Sequence, residues 1–387
     1  MIGAIIGDIV GSIYELEEIN ALKFNSNKKR PYEERIKILE ANTPLFFNKC
    51  SYTDDTTLTI AIANALIEND TFEKSLRKYG LEELSLGKDM YGRNRFGKGF
   101  VSWLHNEKIG DSYGNGASMR ISPVAYFFDD LDIILRKTKE ATIPSHNNEE
   151  AIKGAQIVTT AIYLSKQKYS KEQIKEELET RFEMSFEFKL EQLQKNYRFT
   201  SRTIDSVPQA IFCFLESNSF EDCLRKSISI GGDSDTIAAI ACSIAESFYG
   251  VPKELKQRVL AYLPEHYKNT INKFYSILHL KEELKTLQIC DENFWEYMTT
   301  RTKRINAPLE INIWGTFVDY DNNKKIKEIK ILAPEIINQE TLLINIHEYA
   351  HAFELYQELG KIYNINEKNS ENFAKSKEKE YLNKKRY

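Results

Sequence analysis

The stretch SISIGGDSDTIAAIACSIAESFYG, residues 227–250, decides the fold class. Its apolar residues Ile237, Ile240, Ala241, Ile244 and Phe248 fall at the three-and-four spacing of one helix face. Gly250 supplies a C-terminal cap and Pro252 blocks continuation. A second helix of the same kind follows SYTDDT, residues 51–56, with Leu58, Ala61, Ile62, Ala65 and Leu66 in register. In the opening segment Gly3, Gly7 and Gly11 recur every fourth residue. They leave one helix face without side chains, so that another backbone can approach closely, and this marks the first helix as central. The first 280 residues therefore read as almost wholly helical.

Beyond about His279 the pattern changes. A charged stretch, KEELKTLQICDEN, leads into INIWGTFVDYDNNKKIKEIKIL, where β-branched and aromatic runs flank a turn-prone centre and predict a hairpin. A helix is expected from about Gln339 to Leu359, ended by Gly360 and followed by a polar, lysine-rich tail. The expected organisation is a domain over 1–280, a linker over 281–292 and a second domain over 293–387. A length of 387 residues suits one large domain and one small one.

Composition narrows the function classes. With 42% hydrophobic and 28% charged residues, the chain has the make-up of a folded protein. The net charge of -4 comes from interspersed acidic and basic residues, which offer no basic field for nucleic acid or a membrane surface. Five scattered cysteines without a CxxC pair argue against a disulfide framework or thiolate zinc site and suit a reducing cytoplasm. The apolar N-terminus lacks a basic leader, is interrupted by Asp8 and is too short to span a bilayer, so a cytoplasmic protein is expected.

Two segments carry crowded oxygen ligands at helix starts: Thr53, Asp54 and Asp55 in SYTDDT, and Asp233, Asp235 and Thr236 in GGDSDT. Asp and Thr are favoured helix caps, worth about 0.5–2 kcal/mol. A cap needs only one carboxylate, however, and several together repel unless a cation neutralises them. Two such groups suggest one shared site for magnesium or manganese, with room for a pair of ions about 3.5–4 Å apart, an arrangement suited to hydrolysis. In SYGNGASMRISP, residues 112–123, glycines flank Asn115 and leave backbone N–H groups open to a diphosphate, although the same pattern also makes turns.

Five ordered motifs, GAIIGDIVGSIYE, SYTDDT, SYGNGASMRISP, SHNNEEAIKGA and SISIGGDSDTIAAIACSIAESFYG, together resemble the ADP-ribosylglycohydrolase family over residues 1–280. The resemblance implies an all-helical fold around two magnesium ions, with Thr53, Asp54, Asp55, Asp233, Asp235 and Thr236 as ligands. It makes Ser112, Tyr113, Gly114, Asn115, Gly116, Ala117, Ser118 and Met119 the loop for the diphosphate and neighbouring ribose, with Tyr113 stacking on adenine and His146 nearby. Glu15 matches the glutamate that members acting on serine-linked or O-linked ADP-ribose place beside the scissile bond; Asp111 is a second candidate. The implied partner is an ADP-ribosylated protein or an ADP-ribose-containing small molecule. Cleavage would pass through an oxocarbenium-like state at the ribose, with Glu15 handling the proton.

HEYAH, residues 347–351, places His347 and His351 one turn apart on a helix, with Glu348 beside them. Glu371, twenty residues after His351, can complete a His2Glu zinc site. With ENFA following, the tail over 293–387 resembles a minimal gluzincin. That resemblance implies one zinc ion held by His347, His351 and Glu371, with Glu348 as general base. The expected fold is mainly α: an all-helical ADP-ribosylglycohydrolase-like domain, then a small α+β zincin-like domain. The competing reading is an ADP-ribose-binding protein that targets a C-terminal zinc peptidase to modified proteins.

Overall fold

A computed structural model describes residues 1–23, 30–106, 108–300, 304–306, 315–320, 326–357 and 367–384. The chain is mainly helical and forms two compact units, Met1–Ala63 with Phe72–Lys268, and Asn64–Thr71 with Asn269–Tyr387. Among the described residues no helix is long and apolar enough to cross a membrane.

The core of the first unit is α1 (Ile2–Lys23) lying along a later helix, Ser234–Tyr249. That later helix is apolar nearly all round: Ile237, Ala238, Ala239, Ile240, Ala241, Ile244 and Ala245 are completely buried. The glycine stripe of α1 explains the close pairing. A Cβ at Gly11 would lie 2.5 Å from the Asp235 Cα, and one at Gly7 would collide with the Ala238 carbonyl. Two backbones therefore touch where side chains would separate them, and the acidic start of the later helix is drawn against α1. Gly231, just before that start, has φ +74°, a left-handed turn that a side chain would strain.

Further helices surround this pair: α2 (Asp54–Glu68), α3 (Gly116–Arg120), α4 (Leu131–His146), α5 (Glu149–Lys166) and, after them in the chain, α6 (Phe220–Ser229). The central Ser234–Tyr249 helix is α7. The apolar positions read in α2 hold: Leu58, Ala61, Ile62, Ala65 and Leu66 are buried.

In the second unit α8 (Glu265–Thr286) runs unbroken through part of the segment expected as linker. Leu280 and Leu284 continue its buried stripe, which is why the chain stays helical there. The chain passes from the first compact unit to the second at Lys268/Asn269, and residues 64–71 belong to the second. After α9 (Glu292–Thr300) comes a three-stranded sheet of order β1-β3-β2, with β1 Arg304–Asn306, β2 Gly315–Tyr320 and β3 Ile326–Ala333. β2 and β3 pair antiparallel, as the hairpin reading expected, and β1 adds a parallel edge. Residues 321–325, the turn itself, lie outside the described residues.

Ile329, Ile331 and Ala333 alternate on the buried face of β3. Against the sheet packs α10 (Gln339–Gln357), whose Leu342, Ile346, Tyr349, Ala350 and Phe353 form its buried stripe. Asn338 caps it by accepting a hydrogen bond from the Thr341 amide at 2.9 Å. Phe294 and Trp295 of α9 lie against Phe353 and Tyr349. The expected stop at Gly360 lies outside the described residues, and α11 (Glu367–Lys384) packs on α10.

Candidate active site

Asp8 and Glu15 stand seven residues apart, and so on one face of α1. Asp8 is completely buried. Its Oδ1 accepts from Thr53 Oγ1 at 2.8 Å, and its Oδ2 accepts from the Thr53 and Thr56 amides at 3.0 Å each. These bonds tie the start of α2 to α1. At the start of α7, Asp233 occupies the N-cap position without a side-chain cap bond. Its Oδ2 accepts instead from Asn115 Nδ2 at 2.7 Å, which joins the glycine loop to the cluster. Thr236 Oγ1 donates to Asp55 Oδ2 at 3.3 Å.

Two groups of carboxylate oxygens result, each within 4.8 Å: Asp8 with Asp55 and Asp235, and Glu15 with Asp233 and Asp235. Asp235 belongs to both. Burial, then the neighbouring charge of Asp235, pushes the Asp8 and Asp54 carboxyls up to about 7. The same two causes hold Asp55, Asp233 and Glu15 well above the carboxylate range, although Arg93 offsets part of the shift at Glu15. Asp55 Oδ1 is buried with no hydrogen-bond partner among the described residues. Crowded hard oxygens with an unsatisfied lone pair fit a magnesium- or manganese-type cation.

A pH dependence follows from these shifts. The Asp8 and Asp54 carboxyls bind their protons more tightly folded than unfolded, so their contribution to stability is full below about pH 4 and is lost as the pH climbs through about 7. In chelator, the melting temperature should fall from about pH 5 to about pH 8, and magnesium should restore it at the higher pH. Thermal unfolding that responds to neither pH nor magnesium would show that the cluster binds no cation.

The cluster opens into a cavity of about 480 Å³, also lined by Tyr52, Arg93, Phe199 and Ser201. Thr53 and Asp54 line it as well, and of the glycine loop Asn115, Gly116 and Met119 do. Ala117 and Ser118 turn into the core, while Ser112 and Tyr113 are exposed. The loop is pinned from behind. The Asn115 amide donates to the Ser201 carbonyl at 2.8 Å, Thr203 Oγ1 donates to the Tyr113 carbonyl at 2.9 Å, and Gly114 pairs with Arg202. The Tyr113 ring is 58% exposed, with the Arg202 guanidinium 5.6 Å from its centre.

His146 ends α4, buried behind the loop, where a Cβ at Gly116 would lie 3.0 Å from its Nε2. Its Nδ1 is 2.7 Å from Ser145 Oγ, which accepts from Arg120 Nη2 at 2.7 Å. Burial and the Arg120 charge hold its pKa well below the usual value, so it is a neutral support for the loop. Asp111 is exposed and lies outside the cavity lining, whereas Glu15 lies within it.

Sequence reasoning missed Asp8, Asp89 and Arg93. Arg93 Nη1 donates to Glu15 Oε2 at 2.8 Å, and its Nε donates to Asp89 Oδ2 at 2.7 Å. The Asp8-to-Glu15 spacing was the one available signal; the irregular segment bearing Asp89 and Arg93 has no periodicity to read.

The ADP-ribosylglycohydrolase family model matches residues 1–289. The chain belongs to this family. It is 25% identical over 323 residues to mouse ADP-ribosylhydrolase ARH3, covering 66% of this chain and 85% of that protein. It is 26% identical over 252 residues to the uncharacterised protein YegU of Escherichia coli (strain K12), covering 55% and 75%. It is 23% identical over 283 residues to ADP-ribosylarginine hydrolase Tri1 of Pseudomonas putida (strain GB-1), covering 67% and 72%. The ADP-ribosylglycohydrolase match thus contains the whole carboxylate cluster and ends before the sheet and the HEYAH helix.

In the second unit, His347 and His351 bring their Nε2 atoms to 3.1 Å. Glu348 is buried, and its Oε2 accepts from Thr316 Oγ1 of β2 at 3.0 Å. Glu371 falls in α11, but its side chain lies outside the described residues.

Proposed function

We propose that the chain hydrolyses the glycosidic bond joining ADP-ribose to a protein or small molecule, using two magnesium or manganese ions. The observation that carries this reading is the pair of carboxylate groups sharing Asp235 at the floor of the cavity. Thr53, Asp54, Asp55, Asp233, Asp235 and Thr236, joined by Asp8, would hold the ions. Bound there, the ions would supply positive charge to polarise ribose hydroxyls and water.

The chain's own groups divide the remaining work. Glu15, whose proton affinity is raised by burial and by Asp235, is placed to hand a proton to the leaving group. Arg93 fixes that carboxyl in place. The backbone at Gly116, on the cavity wall, can offer its N–H to a diphosphate, while the Asn115 amide is already donated to Ser201, and exposed Tyr113 presents a face for adenine.

Incubation with arginine-linked, serine-linked and O-acetyl ADP-ribose in magnesium should release free ADP-ribose from at least one. Release from none, with ADP-ribose still bound, would make the chain a binding protein instead.

A second reading is favoured by the converging histidines of α10. The HEYAH helix would bind one zinc through His347, His351 and Glu371 in a zincin-like domain over about 293–387, with Glu348 as the base of a peptidase. The free state of all five cysteines suits a cytoplasmic setting for both activities.

A further inference from the structure

Arg120, Ser145 and His146 form a buried chain behind the glycine loop. Arg120 Nη2 donates to Ser145 Oγ at 2.7 Å, and Ser145 Oγ lies 2.7 Å from His146 Nδ1. An arginine can only donate, so the serine oxygen accepts on that side. Among the described residues the one hydroxyl hydrogen of Ser145 has no acceptor other than His146 Nδ1. The hydroxyl therefore donates to Nδ1, and the neutral ring carries its own proton on Nε2. That edge lies against the loop: a Cβ at Gly116 would come within 3.0 Å of Nε2, and one at Gly114 within 3.9 Å. The ring is 6% exposed, and its Nε2–H meets no acceptor among the described residues.

Arg120 is an unusual brace. It is completely buried, yet its Nε and Nη1 make no hydrogen bond among the described residues, so it is held through Nη2 alone. A buried charge so poorly matched adds little to the fold. Its firm contact is the one that sets Ser145.

We propose that Arg120 is a positioning residue for the ligand of the glycine loop, fixing through Ser145 the His146 tautomer that presents Nε2–H to a diphosphate oxygen. The proposal rests on the ADP-ribose reading of the cavity and adds Arg120 and Ser145 to it. A diphosphate offers only acceptors, so a ring with a bare Nε2 would repel it where a ring with Nε2–H binds it.

The test uses the full chain, with nitrogen NMR of isotope-labelled histidine assigned through His146→Gln. In the ligand-free parent, His146 should show a protonated Nε2 and a bare Nδ1. ADP-ribose should shift the Nε2 signal, and adenosine, which lacks the phosphates, should not. By calorimetry, Ser145→Ala and Arg120→Met should each bind ADP-ribose about 3–10-fold more weakly, the worth of one hydrogen bond, and adenosine as the parent does. Arg120→Lys keeps a donor and should recover part of the loss. A His146 proton on Nδ1 in the parent, or both variants binding ADP-ribose as tightly as the parent, would overturn the role of Arg120 and leave the ADP-ribose reading standing. Equal weakening toward ADP-ribose and adenosine would also overturn it, because a structural role does not single out the phosphates. A parent that binds no ADP-ribose would overturn the ADP-ribose reading itself.

Discussion

Asp235→Ala is expected to abolish release of ADP-ribose while making the metal-free protein more heat-stable. Asp235 is the only residue common to both carboxylate groups, so its loss removes an oxygen from each. Stabilisation of charge by a bound ion is worth several kcal/mol, and each 1.36 kcal/mol is tenfold, so turnover should fall about 10³-fold or more. Asp235 is also the largest source of like charge on Asp8, Asp54, Asp55, Asp233 and Glu15. Removing it relieves repulsion, so at about pH 8 in chelator the variant should melt above the parent. Hydrolysis assays paired with thermal unfolding separate this from damage to the fold. Retained activity would remove Asp235 from the site, and loss of activity with loss of helical circular dichroism would mean that the residue is structural.

Glu15→Gln should reduce turnover about 10²-fold or more with little change in ADP-ribose affinity, as expected when a general acid–base group is neutralised. The amide keeps the shape of the side chain and can still accept from Arg93 through its oxygen, so the cavity wall should stay in place. Asp111→Asn is the control, because Asp111 is exposed and outside the cavity lining. Steady-state kinetics on both variants decides the assignment. If Asp111→Asn carries the loss and Glu15→Gln does not, the proton is handled at the other end of the glycine loop.

Both predictions concern residues visible in the sequence, but for different reasons. Asp235 belongs to a crowd that no helix cap requires; Asp233 makes no side-chain cap bond, and Asp55 has a buried oxygen without a partner among the described residues. Glu15 was selected by family resemblance alone, since one glutamate at the end of a helix carries no chemical signature. Asp8 carries no such signal in the chain, because one buried aspartate on a glycine-striped helix shows its role only when Thr53 and Thr56 close on it.

The helices, the glycine stripe, the hairpin and the order of the motifs are legible in the chain alone, because each is written in residues near one another, where periodicity and turn chemistry act. That positions 8, 15, 55, 233 and 235 gather in two groups, each within 4.8 Å, is set by long-range packing, for it depends on two backbones meeting along α1 and α7. The same packing sets Arg93 against Glu15. The contact of Arg120 with Ser145 comes from how α3 is set against α4, a long-range packing register that no local pattern in the chain encodes.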